Sequence, residues 1–368
     1  MRPTIAEINL SHIKYNFLNI RKKVKKAKVM AVVKADAYGH GSVECCYALN
    51  ELGIKKPDYY GVALLEEGIE LRESGIKEPI LSFAPFDKTY LSFYTKFKIE
   101  PTVCTEQQIG FLKRYKGRKI TVQVNVDTGM GRLGLNYKDA AEKIISLAEN
   151  KNVVVSGVYT HFATSDDRDK TYALLQLERF SKVVEKLRSK GINTIIFHAA
   201  NSGAILDLPD SYLDMVRVGI SLYGYYPSME TSESIKLRPV MSLVSQISTT
   251  KTLEKGDSVS YGRLFTAKRK MNSATIPIGY ADGLSRNLTN KIKVIVNKKF
   301  FSQIGRVTMD RIMVNTGMES FKLGTRVILI GKSGDKRISA WDWSKILNTI
   351  PYEITCNIGK RIPRKYIH

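Results

Sequence analysis

The chain has 368 residues, 43% of them hydrophobic, which argues against disorder and for roughly two domains, each with a core. The formal net charge of +23 raises a nucleic-acid or anionic-surface role. Lys and Arg are scattered, however, as in "RKKVKKAK", "KLRSKG" and "NKKFF", without an RNP pattern, helix-turn-helix or zinc-finger spacing, so no nucleic-acid partner is expected.

The opening "MRPTIAEINLSHIKYNF" has no apolar signal core, and no apolar stretch approaches the ~20 residues of a membrane span. A cytoplasmic protein with no membrane partner is expected. Cys45, Cys46, Cys104 and Cys356 form no CxxC pair, so they are expected as reduced thiols and no metal is expected.

In chain order, short apolar runs alternate with amphipathic segments. The runs are "VMAVVKA" (29–35), "YYGVALL" (59–65), "PILSF" (79–83), "EPTV" (100–103), "ITVQVNV" (120–126), "VVVSGVYTHF" (153–162), "TIIFHAA" (194–200) and "MVRVGI" (215–220). "DAAEKIISLAEN" and "LLQLERFSKVVEKLRSKG" carry helical spacing between them. Strand alternating with helix predicts a parallel sheet, and eight such runs predict a (β/α)8 barrel over residues 1–235. The stretch "YPSMETSESIKLRP" reads as a linker. Residues 236–368 then read as a mainly β domain, through runs such as "VMSLVSQISTTKTL", "KIKVIVN" and "TRVILIG", with helical period only in "SAWDWSKILNTI".

Barrel enzymes carry their chemistry at the C-terminal ends of the strands. Here those ends hold Lys34, Asp127 with Arg132 behind it, His161, His198 with Asn201 and Ser202, and Arg217. A lone lysine or histidine at a strand tip is usually structural, but five tips in one register point to a site. A lysine acting near neutral pH must shed a proton from a pKa of about 10.4, which burial or a Schiff base to a carbonyl cofactor achieves. Pyridoxal phosphate is the common such carbonyl. Its phosphate would need backbone N–H groups and hydroxyls, which Gly219, Ile220, Ser202 and Tyr38 offer.

The stretches "AVVKADAYGHG", "VDTGMGRLG", "THFATSDD", "HAANSGA", "MVRVGISLYG", "VSYG", "IGYADGLSR", "GRVTMD" and "YEITCNIGKRIPR" together resemble the alanine racemase family, in the family's order from residue 5 onward. The resemblance implies a pyridoxal 5'-phosphate enzyme that interconverts L- and D-alanine with two bases and supplies D-alanine for peptidoglycan. It implies Lys34 as the cofactor-bearing lysine and one base. Tyr261 is implied as the other, delivered from the second subunit of a head-to-tail homodimer. His161 is implied beside the pyridine ring and Arg217 at its nitrogen. Tyr352 joins Tyr38, Ser202, Gly219 and Ile220 around the phosphate. Arg132 and the Met309 backbone are implied to hold the substrate carboxylate, and Asp166, Tyr280, Arg286 and Arg306 to line the entrance.

Two positions depart from the family pattern. A lysine that becomes carbamylated in many members is Asn125 here, so a chloride or ordered water is expected between Asn125 and Arg132. A cysteine frequent before the final "MD" is Thr308, expected to line the substrate pocket. The alternatives are a same-fold racemase for serine or another amino acid, a barrel decarboxylase, and a basic nucleic-acid-binding protein.

Overall fold

A computed structural model describes residues 3–192 and 195–368. Its chain forms two contact units: residues 12–37 with 42–238, and residues 1–11, 38–41 and 239–368.

In the first unit, eight parallel strands run around a ring: β2 (Lys28–Val32), β3 (Tyr59–Val62), β4 (Ile80–Pro85), β5 (Ile99–Val103), β6 (Ile120–Asp127), β8 (Val153–Tyr159), β9 (Ile196–His198) and β10 (Met215–Val218). A two-residue strand β7 (Leu135–Asn136) pairs with β6 outside the ring. β10 pairs with β2 in register Arg217↔Met30. Between β9 and β10 the ring is closed by Asp214 N–H to the Phe197 carbonyl (3.1 Å) and Arg217 N–H to the Ala200 carbonyl (2.9 Å). Each of the eight apolar runs contributes one of these strands. The run at 194–200 begins at Thr194, which lies outside the described residues.

The strands are short and apolar because both faces are covered. Met30, Tyr59, Leu81, Tyr159 and Met215 pack together as a buried cluster, with Phe83 and Ile196 against it. The outer layer includes α7 (Ala140–Ala148) and α8 (Thr171–Ser189), where the helical spacing predicted them. Helix α8 stops where Gly191 takes φ +78°, a conformation that favours glycine.

The second unit is one large, mainly antiparallel sheet. It contains β11 (Met241–Gln246), β12 (Thr249–Leu253), β15 (Met271–Ile276), β16 (Lys293–Val296), β17 (Lys299–Ile304), β18 (Ile312–Gly317) and β19 (Arg326–Ser333). Two further short strands, β13 (Ser258–Val259) and β14 (Phe265–Thr266), form a separate hairpin. A single cut at residue 235 does not describe this unit. Strand β1 (Ile5–Asn9) pairs antiparallel with β11 and parallel with the C-terminal strand β21 (Arg364–Ile367). The reason is legible in "IAEIN": its residues alternate between half-buried and buried, as suits a sheet with one covered face and not a barrel wall.

Among the described residues no helix is long and apolar enough to cross a membrane. Cys45, Cys46 and Cys104 are buried and Cys356 is exposed.

Candidate active site

In the barrel unit the site is built around Arg217. This guanidinium is 3% exposed and donates to the carbonyls of Thr160 (2.6 Å), Ala199 (2.9 Å) and His198 (3.1 Å). It also reaches Nδ1 of His198 (2.9 Å) and Nδ1 of His161 (3.3 Å). A guanidinium can only donate, so both imidazoles present an unprotonated Nδ1 to it. Arg217 thereby ties together the ends of three strands. Burial lowers its pKa to about 10, which still leaves it charged at neutral pH.

The pKa of His161 is pushed down to about 3, first by burial, then by the positive charges of Arg217, Arg132 and Lys34. It is a neutral ring among cations, close enough to Lys34 to feel its charge. His198 is driven well below its usual range by burial and then by Arg217. It was expected among the groups lining the mouth, but it is fully buried behind Arg217, stacked on Tyr159 with centroids 5.0 Å apart. Asn201 is likewise structural: its side chain accepts from Ala204 N–H (3.1 Å) and Ser165 Oγ (2.7 Å).

Ser202, 4% exposed, accepts from the N–H groups of Gly219 (3.0 Å) and Ser221 (3.4 Å). Ser221 escapes sequence reasoning. Its Oγ is buried and has no partner among the described residues, at the spot where Gly219 and Ser202 converge. A buried hydroxyl without a partner is costly unless a ligand satisfies it, so this corner fits an oxyanion such as a phosphate.

Lys34 follows β2 and opens a short segment of unusual hand. Ala35, Asp36, Ala37 and Tyr38 have φ between +52° and +54°. Four consecutive left-handed non-glycine residues cost about 1–2 kcal/mol each, and such strain concentrates at functional sites. The segment is pinned by Ala35 N–H to Glu67 Oε1 (2.6 Å) and Ser42 N–H to Asp36 Oδ1 (2.8 Å).

The loop behind β6 is shaped by Asp127, whose carboxylate accepts from Gly129 (2.8 Å) and Gly131 (3.1 Å). It leaves Arg132 exposed. Asn125, 7% exposed, donates to the Leu133 carbonyl next door at 3.4 Å. Asp166 lies in the loop after His161, its carboxyl raised chiefly by burial.

The β unit assembles its own set. Tyr261, 72% exposed, sits on a tight turn between Ser260 (φ +68°) and Gly262 (φ +70°). Arg306 underlies that turn: its carbonyl accepts from Ser260 Oγ (2.8 Å) and its Nε donates to the Tyr261 carbonyl (3.4 Å). Tyr280 N–H bonds the Thr308 carbonyl (3.0 Å), so Tyr280 and the exposed Met309 share one corner. Gly279 is needed there, since a Cβ would meet the Thr308 carbonyl oxygen at 2.2 Å. Thr308 turns its hydroxyl into its own turn, donating to the Arg311 carbonyl (2.9 Å) and accepting from Arg311 N–H (3.1 Å). The rings of Tyr38 and Tyr352 pack at 5.9 Å. Arg286 is exposed at the start of a short turn, Arg286–Leu288.

Fold and site define a barrel enzyme with an appended β domain, its strand tips gathering a lysine, a neutral imidazole and a buried guanidinium beside an oxyanion corner. The chain belongs to the alanine racemase family: the family's N-terminal domain matches residues 8–227 and its C-terminal domain residues 240–366. It is 42% identical to alanine racemase 2 of Caldanaerobacter subterraneus subsp. tengcongensis, over all of this chain and 96% of the relative. The solved alanine racemase of Clostridium difficile 630 superposes with a TM-score of 0.92 at 39% identity, covering 100% of this chain and 96% of that one. That of Bacillus anthracis with bound L-Ala-P gives 0.92 at 34%, covering 100% and 96%.

Proposed function

We propose that this protein racemises alanine with pyridoxal 5'-phosphate, providing D-alanine for peptidoglycan inside the cytoplasm. The observation that carries the reading is Arg217, a buried cation that can only donate, placed beside a neutral His161 and the Ser202–Gly219–Ser221 corner. When bound, the cofactor supplies a carbonyl for the Lys34 amine and a ring that withdraws electrons from the substrate α-carbon.

The corner of Ser202, Gly219, Ile220 and Ser221, with Tyr38 and Tyr352, would hold the phosphate. His161 would flank the ring. Arg217 has no acceptor for a ring-nitrogen proton, so the ring is a weaker electron sink; this favours returning the proton at the α-carbon over sending it elsewhere. Lys34 moves that proton on one face. A second base must stand on the other face, because one base alone returns the proton where it came from. Tyr261 fills that role from the partner subunit of a homodimer, consistent with its exposure of 72%. Arg132 and the Met309 backbone hold the carboxylate, and Asp166, Tyr280, Arg286 and Arg306 border the entrance. Chloride between Asn125 and Arg132 supplies the anion that a carbamylated lysine provides in relatives.

The test is racemisation of a panel of L-amino acids by the purified holoenzyme. Alanine should be turned over fastest and Lys34→Ala should lose both turnover and the cofactor's visible absorbance. Faster turnover of serine would transfer the assignment to the same-fold alternative.

A further inference from the structure

We propose that Glu100, at the far end of the barrel from Lys34, fixes the direction of a buried hydrogen-bond chain ending on Arg217, and so acts as a positioning residue for that guanidinium. The inference rests on the reading of Arg217 given above.

The chain is read from Arg217 inward. Its Nη1 lies 2.9 Å from His198 Nδ1 and can only donate, so Nδ1 accepts and the ring proton sits on Nε2. His198 Nε2 is 2.8 Å from Gln123 Oε1, so the amide oxygen must face the ring. Nothing in an amide by itself selects that orientation, because its two ends are nearly the same shape. The selection comes from the other end, where Gln123 Nε2 donates to Glu100 Oε2 at 2.7 Å. A carboxylate only accepts, so it holds the amide nitrogen to itself and turns the oxygen to His198.

Glu100 is built to be that acceptor. Ser156 Oγ donates to the same oxygen at 2.8 Å, and Tyr59 OH approaches the other at 3.4 Å. Burial raises its pKa, while Gln123, Ser156, Tyr59 and the Arg72 charge pull it back. Glu100 also lines a cavity of about 800 Å³ with Arg72, Lys77, Lys96, Lys98 and Lys119, and the Arg72 charge opposes the net rise that burial gives its pKa. Gln123 and His198 are fully buried, and Gly157 leaves the space Gln123 occupies, since a Cβ there would meet Oε1 at 2.7 Å. The stacked Tyr159 ring blocks rotation of the imidazole.

A neutral amide at position 100 removes the selection. Gln123 can then flip and donate to His198 Nε2, which moves the ring proton to Nδ1 and sets N–H against N–H at Arg217. The test is histidine ¹⁵N NMR of the cofactor-free protein, with His198 assigned by a His198→Gln variant, alongside alanine kinetics of the holoenzyme. His198 should be the Nε2–H form in the wild type and shift toward Nδ1–H in Glu100→Gln, with kcat falling roughly tenfold or more, as tautomer reversal does elsewhere, and KM little changed. The double exchange Glu100→Gln/Gln123→Glu keeps the volume and the donor direction, and should restore the Nε2–H form. An unchanged tautomer and rate in Glu100→Gln would overturn the proposal. If that variant does not fold, a wild-type His198 carrying its proton on Nδ1 overturns it alone. The tautomer is read without the cofactor, so a protein inactive on alanine that still shows the exchange upholds the chain and sinks only the function.

Discussion

Arg217 concentrates the physics of the site in one side chain. Its hydrogen bonds satisfy three strand-end carbonyls that would otherwise be buried without donors. Arg217→Met keeps the bulk and removes the donors, so it should lower the unfolding free energy by about 3 kcal/mol or more, measurable by urea denaturation. The neighbouring imidazoles make stability depend on pH. His161 is depressed to about 3 and His198 lies well below its usual 6.5. Between pH 6.5 and about 3, an unfolded chain binds protons that the folded one refuses, so stability must fall as pH falls through that window. Urea midpoints from pH 8 down to pH 5 should show this decline, and His161→Gln should make it shallower, leaving the His198 share. A wild-type midpoint independent of pH would contradict the assigned neutrality.

At the scale of an element, the left-handed turn after β2 is where the chain departs from its own propensities. Ala35 is exposed with φ +52°, so a glycine there relieves about 1–2 kcal/mol of strain against 0.5–1 kcal/mol of lost chain entropy. Ala35→Gly should therefore raise Tm slightly, by the equivalent of about 1.5 kcal/mol at most, and Ala35→Val should lower it. Gly39 ends the turn at φ +84°, and a Cβ there would lie 2.3 Å from the Thr355 carbonyl oxygen. Gly39→Ala should cost several times more than an ordinary surface substitution, with thermal denaturation as the measure. The hydrophobic periods announced the strands and long helices, but no periodicity announces a left-handed turn built from Ala, Asp, Ala and Tyr. Glu67 fixes its first residue, Ala35, and Ser42 fixes its second, Asp36.

For the whole molecule, the proposed second base is an exposed side chain of the β unit. Tyr261, Leu264, Tyr280 and Met309 of that unit are all large and exposed, which suits burial against a partner. If each active site draws Lys34 from one subunit and Tyr261 from the other, two inactive variants complement each other. Mixing equal amounts of Lys34→Ala and Tyr261→Phe after dissociation should restore about a quarter of the wild-type sites, since half the dimers are mixed and each holds one intact site. No recovery would place both bases in one chain.

Strand-helix alternation determined the barrel, because a parallel strand covered on both faces must be apolar throughout and its tips must therefore stand out as polar. Lys34, His161, Ser202 and Arg217 were legible for that reason. Tertiary structure alone decided what those residues do to one another. It withdrew His198 behind Arg217, turned Thr308 into its own loop, left Ser221 without a partner, and sent the first strand to the C-terminal sheet. Each outcome depends on groups distant in sequence meeting in space, as Glu100, Gln123, His198 and Arg217 do, and hydrogen-bond direction along such a chain has no sequence period to betray it.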